Sequence, residues 1–180
     1  MVKQKKRIVI TGAQGTGKTT LANVLGSDGT KVLSIARETA IALNWTPENG
    51  SSKEYQKALF KNMLKGISSK KSYISDRGLT CVAAHTYIEA IGGNIPKKVA
   101  DDQFRRLEKF HAENPDILVV YVPIEFNIEE DGIRNADEAQ QAKIDFLIKN
   151  ILDTAKIPYI TVTGSVEERV AQVNKALENR

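Results

Sequence analysis

The chain has a single cysteine, Cys81, in 180 residues. That excludes an internal disulfide and predicts a reducing, cytoplasmic setting. No apolar run approaches the ~18 to 20 residues of a membrane-spanning helix, so no membrane partner is expected. A secretory leader is not expected either. Lys3, Lys5, Lys6 and Arg7 precede only the short run Ile8-Val9-Ile10-Thr11, which leads straight into glycines. Internal repeats and low-complexity stretches are absent. With 41% hydrophobic and 27% charged residues, the composition excludes disordered, collagen-like and fibrous classes. The length predicts one domain spanning 1–180.

The net charge is +4 and the isoelectric point about 9.1. A basic protein invites a nucleic-acid reading, but four of the positive charges lie within residues 1–7. The remainder of the chain balances to zero, so a basic DNA-binding face is not implied by the total. The simplest expectation is a set of solvated lysines ahead of the first strand. The pairs Lys70-Lys71, Lys97-Lys98 and Arg105-Arg106 likewise read as solvated faces, unless they share one face with the N-terminal charges.

Short apolar runs alternate with helical periodicity, the signature of an α/β domain with a parallel sheet. Strands are expected at Arg7 to Thr11, about Lys31 to Ile35, Ser72 to Ser75, Ile117 to Val122 and Tyr159 to Thr163. The predicted strand order is 2-3-1-4-5. About seven helices connect them. Ser51-Ser52-Lys53-Glu54 reads as a capping box with Ser51 at the N-cap, and Ser165 with Glu168 as another. Gly92-Gly93 stops one helix, and Pro96 fits the first turn of the next. His111 is expected at a helix end facing solvent. Residues 124–136 are polar and acidic around Gly132 and read as a lid.

The strongest signal is Gly12-Ala13-Gln14-Gly15-Thr16-Gly17-Lys18-Thr19-Thr20, which contains G-x-x-x-x-G-K-[ST]. It follows a strand and opens a helix, as a phosphate-binding loop must. Glycines let backbone N–H groups turn around a polyphosphate. The helix starting at Lys18 offers its positive dipole end to the same anion. Lys18 adds a mobile cation, and Thr19 a hydroxyl for Mg²⁺. ATP and Mg²⁺ are therefore the expected cofactors. The N-K-x-D guanine reader is missing, since Asn174-Lys175 runs into Ala176-Leu177.

Asp76-Arg77-Gly78 follows the third strand at the carboxyl edge of the sheet, where open parallel sheets bind ligands. Asp76 there can hold Mg²⁺ or accept a proton from an attacking hydroxyl. It can equally cap the next helix or form an ion pair. Arg77 is suited to an acceptor or phosphoryl oxygen. Arg134 lies in the expected lid, where an arginine neutralises charge developing in the transition state. Arg37 and Glu38 follow the second strand and point to the acceptor rim or pair with each other. Trp45 either stacks on an acceptor base or anchors its loop. Tyr55 and Tyr87 lie near the acceptor side and suit the core. Cys81 and His85 are spaced i, i+4, but two ligands do not make a zinc site, and Cys81 reads as core.

With these residues in view, the chain resembles the ribosylnicotinamide-kinase-like P-loop ATPases. That group includes the kinase half of the bacterial NAD regulator and many small phage proteins. The resemblance rests on GAQGTGKTT, SDRG, EEDGIR and GSVEERV and spans about residues 7–173. Thymidylate and deoxynucleoside kinases share the broader plan. The resemblance implies phosphoryl transfer from ATP to a nucleoside- or nucleotide-like acceptor. It places Lys18 and Thr19 on phosphates and Mg²⁺, Asp76 and Arg77 on the acceptor and metal side, and Arg134 in the lid. Thr163, Gly164 and Ser165 fall at the adenine. The group often has a glutamate three residues before an arginine near the second strand, and Ser34 stands there instead. The base is then Asp76 or Glu38, or the acceptor chemistry differs. A hydroxyl in DNA and a regulatory ATP switch remain alternative readings. Oligomeric state is left open.

Overall fold

The computed structural model describes residues 6–46, 52–125 and 138–180. Five parallel strands form one sheet: β1 (Arg7–Thr11), β2 (Val32–Leu33), β3 (Tyr73–Asp76), β4 (Leu118–Tyr121) and β5 (Tyr159–Thr161). Their order is β2-β3-β1-β4-β5, as the sequence predicts. β1 is central and buried along its whole length. Its unbroken apolar run is what a strand covered on both faces requires.

Side chains along the strands alternate between two cores. Ile8 and Ile10 of β1, with Ile74, Leu118 and Val120, pack under α1 (Lys18–Leu25) and α7 (Val166–Glu178). Val9, Tyr73, Val119 and Tyr121 face the opposite layer. That layer holds α3 (Lys53–Ile67), α4 (Leu79–Ile91), α5 (Lys97–Glu113) and α6 (Glu138–Thr154), with α2 (Ile35–Ala42) packed on α3. The register sets Ile10 beside both Asp76 and Val120. The carboxyl ends of β3, β1 and β4 therefore meet on one edge.

Two local expectations shift. The N-cap of α3 is Ser52, whose hydroxyl accepts from the Tyr55 N–H at 3.1 Å, one residue later than the Ser51 box. Pro96 is the N-cap of α5 rather than a residue of its first turn. Arg7, the first residue of β1, is not solvated. It is 1% exposed, with Nη1 donating to both oxygens of Asp116 at 2.7 Å and Nη2 to the Ile67 carbonyl at 3.2 Å. Lys6 pairs with Asp28 at 2.7 Å. Lys3 and Lys5 lie outside the described residues.

His111 also differs: it is buried, edge-on to Phe110 at 5.4 Å. The reason is periodicity, since Ala100, Gln103, Leu107 and His111 fall on one buried stripe of α5. Burial pushes its pKa down to about 4. The unfolded chain therefore takes up a proton near pH 6.5 that the folded chain refuses until about pH 4. The stabilisation is present above pH 6.5 and is lost as pH falls toward 4. At pH 5 His111 is expected to cost about 2 kcal/mol, or roughly 5 °C of melting temperature. His85, lowered to about 4 as well, acts in the same window. Thermal denaturation from pH 7 to 5 should show a shallower fall for His111→Gln than for the parent chain. An identical slope would contradict the assignment.

Candidate active site

The loop between β1 and α1 is held open by backbone that only glycine adopts without strain. Gly12 has φ +148°, and a Cβ there would stand 2.3 Å from the Val122 carbonyl oxygen. Gly17, with φ 85°, is the N-cap of α1, and no side chain caps that helix. The first-turn N–H groups are thus left to whatever anion enters. From beneath, the Thr11 hydroxyl joins Thr80 Oγ1 at 2.7 Å and Cys81 Sγ at 3.1 Å. Cys81 is buried in the core as expected, and no cluster of metal-ligating side chains occurs among the described residues.

Lys18 is buried, its ammonium donating to the Ala13 carbonyl and to Thr16 Oγ1 at 3.3 Å. Loss of water lowers its pKa to about 8, and Arg77 adds to the shift; Cys81, Asp76 and Asp145 oppose it. It remains cationic at neutral pH, and an incoming polyanion would compensate the missing solvation.

Asp76 closes β3 beside the loop. Thr19 Oγ1 donates to its Oδ2 at 2.7 Å across 57 residues of sequence. Its other oxygen, Oδ1, is buried without a hydrogen-bond partner. A hydroxyl and a carboxylate with a spare oxygen, next to a phosphate loop, fit the all-oxygen preference of Mg²⁺. The next residue, Arg77, has φ 122°, rare for a side-chain-bearing residue. Ser75 Oγ donates to its carbonyl at 2.7 Å, and Gly78 packs where a Cβ would reach 2.5 Å from Val9. This turn directs Arg77 to the wall of a cavity of about 540 Å³.

That cavity is shared by α2, α3 and α4, with Gln14 of the loop and Gln140 of α6 at its edge. Trp45 and Tyr55 stack at 4.3 Å and 6° on one wall, so Trp45 both anchors its loop and faces the cavity. Gln56, held by the Thr86 hydroxyl at 3.2 Å, lines it too. His85 faces Arg77 and Lys18, and burial and those two cations keep it neutral at pH 7. Ala36, not its neighbours, forms the α2 wall. Arg37 and Glu38 are exposed in the first part of that helix and stand outside the lining.

On the other flank, Gly164 has φ 88° and donates its N–H to Glu125 at 2.9 Å. Ser165 forms the expected capping box with Glu168, and a Cβ on Gly164 would collide with that glutamate. Thr20 is exposed on α1. Arg134 and most of the 124–136 segment lie outside the described residues.

Two contributors escape the sequence reading. Arg169 of α7 is 4% exposed; its Nη1 donates to the Thr16 carbonyl of the loop at 2.7 Å, and Nη2 pairs with Glu125. Gln141 of α6 donates to the Gln14 carbonyl at 2.7 Å. Both hold loop carbonyls from behind. The EER of GSVEERV carried the first signal, but nothing in a sequence distinguishes a buried arginine from a surface one.

A protein-family profile described as an AAA domain matches residues 7–169. The chain belongs to this family. The description names a domain type and no reaction. Among solved structures, the chain is similar to deoxyadenosine kinase from M. mycoides, solved with dCMP and dCDP. The TM-score is 0.63 at 14% identity, over 96% of this chain and 98% of that one. It is also similar to the NadR protein in complex with NAD and AMP-PNP (TM-score 0.64, 16% identity). The match covers 97% of this chain but only 49% of NadR. A third is the YorR protein from Bacillus subtilis in complex with phosphorylated GDP (TM-score 0.62, 16% identity, 95% of each chain). At these identities the likeness is one of fold, and it bears out the predicted P-loop fold with its five-stranded parallel sheet. No curated protein matches the chain. No helix among the described residues is long and apolar enough to cross a membrane.

Proposed function

We propose that the chain is an ATP- and Mg²⁺-dependent phosphotransferase acting on a nucleoside, nucleotide or related small acceptor. The observation that carries this is the Thr19–Asp76 hydrogen bond, which joins the phosphate loop to the residue that precedes Arg77 of the cavity wall. One carboxylate thus adjoins both the phosphate loop, through Thr19, and the cavity wall, through the next residue, Arg77.

In this reading the N–H groups of Gly12 to Thr20 and the Lys18 ammonium hold the triphosphate. Thr19 and Asp76 hold Mg²⁺, which neutralises charge on the phosphates when bound. The acceptor oxygen attacks the γ-phosphorus, the bond to the β–γ bridging oxygen breaks, and ADP leaves. Asp76 is assigned the acceptor proton because it adjoins both Thr19 and Arg77 and keeps a buried oxygen without a hydrogen-bond partner, whereas Ser34 is a poor base and Glu38 is exposed. Arg77 orients the acceptor, the Trp45–Tyr55 stack offers an apolar wall for its base, and neutral His85 offers a hydrogen bond. Gly164 and Ser165 border the adenine. Arg134 is assigned to neutralise charge developing on the transferred phosphoryl group. Positioning and electrostatics supply most of the rate.

A panel of nucleosides, nucleoside monophosphates and nicotinamide riboside with γ-labelled ATP tests the proposal. Transfer to at least one small acceptor is expected. ATP binding with label passing only to water, or to no acceptor, would contradict it.

A further inference from the structure

The second large cavity, about 620 Å³, lies between α3 and α5, on the far side of α3 from the acceptor wall. Of the basic pairs that read as separate solvated faces, Lys98 and Arg105-Arg106 meet there with two lysines of α3. Lys57, Lys61, Lys98, Arg105 and Arg106 line the groove against one carboxylate, Asp102. The three lysines are exposed and make no ion pair with any described residue, while Asp102 is shared at 3.7 Å between the two arginines. The surplus positive charge is therefore local, although the chain beyond residue 7 is neutral in total.

Two further features narrow the ligand. The Arg106 guanidinium lies 5.2 Å from the Phe60 ring centroid with its side chain 47% exposed, so one planar face remains for a second flat group. Gln103, 2% exposed, lines the groove with its Oε1 buried and unpartnered. An orphaned carbonyl oxygen calls for an N–H or O–H donor. Phosphates alone satisfy the cations but not this oxygen. A nucleotide unit satisfies both, through its phosphate on the lysines, its base on Arg106 and a base or sugar donor on Gln103.

We propose that this groove binds single-stranded nucleic acid. The groove is one hydrogen bond from the acceptor cavity, since Gln103 Nε2 donates to the carbonyl of Gln56, which lines that cavity. Binding itself does not depend on phosphoryl transfer, so it is measured without ATP.

The test is fluorescence anisotropy with a labelled oligothymidylate of about 12 nucleotides, on the full chain. Three released counterions predict roughly twentyfold weaker binding between about 50 and about 200 mM salt. The surface variant Lys57→Glu with Lys61→Glu should weaken binding about tenfold or more while leaving the melting temperature and ATP affinity unchanged. Inorganic polyphosphate should compete poorly. Any of three results overturns the assignment: no binding at low salt, binding indifferent to the double variant, or polyphosphate competing as well as the oligonucleotide. A failed kinase assay with intact strand binding would instead remove only the phosphotransferase reading.

Discussion

Asp76→Asn is expected to lower kcat for phosphoryl transfer about a thousandfold while the protein stays folded. Asparagine preserves the shape and can still accept the Thr19 hydroxyl now bound at 2.7 Å. It removes the negative charge and the proton-accepting oxygen at the meeting point of donor and acceptor. The buried, unpartnered Oδ1 is the group most directly lost. Because the same carboxylate is assigned to Mg²⁺, the concentration of Mg²⁺ needed for half-maximal rate should rise with the loss of kcat. Steady-state kinetics over a Mg²⁺ series checks both. A kcat within fivefold of the parent, with unchanged Mg²⁺ demand, would leave Asp76 as the structural partner of Thr19 and nothing more.

The second large effect is expected at Arg169. Arg169→Met keeps an apolar stem but deletes the bond to the Thr16 carbonyl and abandons Glu125. Arg169 is buried but Glu125 is exposed, so the variant loses a buried hydrogen bond and leaves a carboxylate that water can solvate; the expected cost is about 1 to 3 kcal/mol, a melting temperature lowered by about 5 °C. Function should suffer separately. A loop no longer tethered at Thr16 presents its N–H groups less well, and ATP affinity should fall about tenfold at a temperature where the variant is folded. The acceptor KM should change little, since Arg169 is on the opposite flank from the cavity wall. Glu125→Gln separates the two roles. It leaves the Thr16 bond in place, so it should lower stability with a smaller loss of ATP affinity. Equal losses of donor and acceptor affinity in Arg169→Met would mean general loosening instead of loop positioning.

The parts of the fold that sequence made legible are those fixed by local chemistry. Ile8-Val9-Ile10 announces a central strand, and the glycines before Lys18 announce a phosphate loop, because few other backbones need φ above zero there. Ser165 and Glu168 form their box because both partners lie within one helical turn. Asp76 could be placed because the strand order brings β3 beside β1. Adjacent serines defeat the same logic at α3, where Ser51 and Ser52 offer the same hydroxyl in sequence and Ser52 is the N-cap.

What stayed hidden depends on contacts between distant segments. Arg7 reads as one more basic residue of the N-terminus, yet Asp116 and Asn114 bury it from across the sheet. Arg169 reaches the loop across 153 residues. His111 needed the buried stripe of α5 to be counted through its last turn. Arg37 and Glu38 are the two residues after Ala36, which lines the cavity, and the helical rotation carries them out to solvent. Convergence of Lys57 and Lys61 with the α5 cations depends on how two helices pack, which no periodicity within either helix reveals.

Titration calorimetry of Mg-ATP into the parent chain and into Lys18→Ala tests the central claim most directly. Removing a desolvated ammonium from the polyphosphate should weaken binding about thirtyfold or more. Equal affinity in the two proteins would show that the nucleotide does not occupy the loop between β1 and α1.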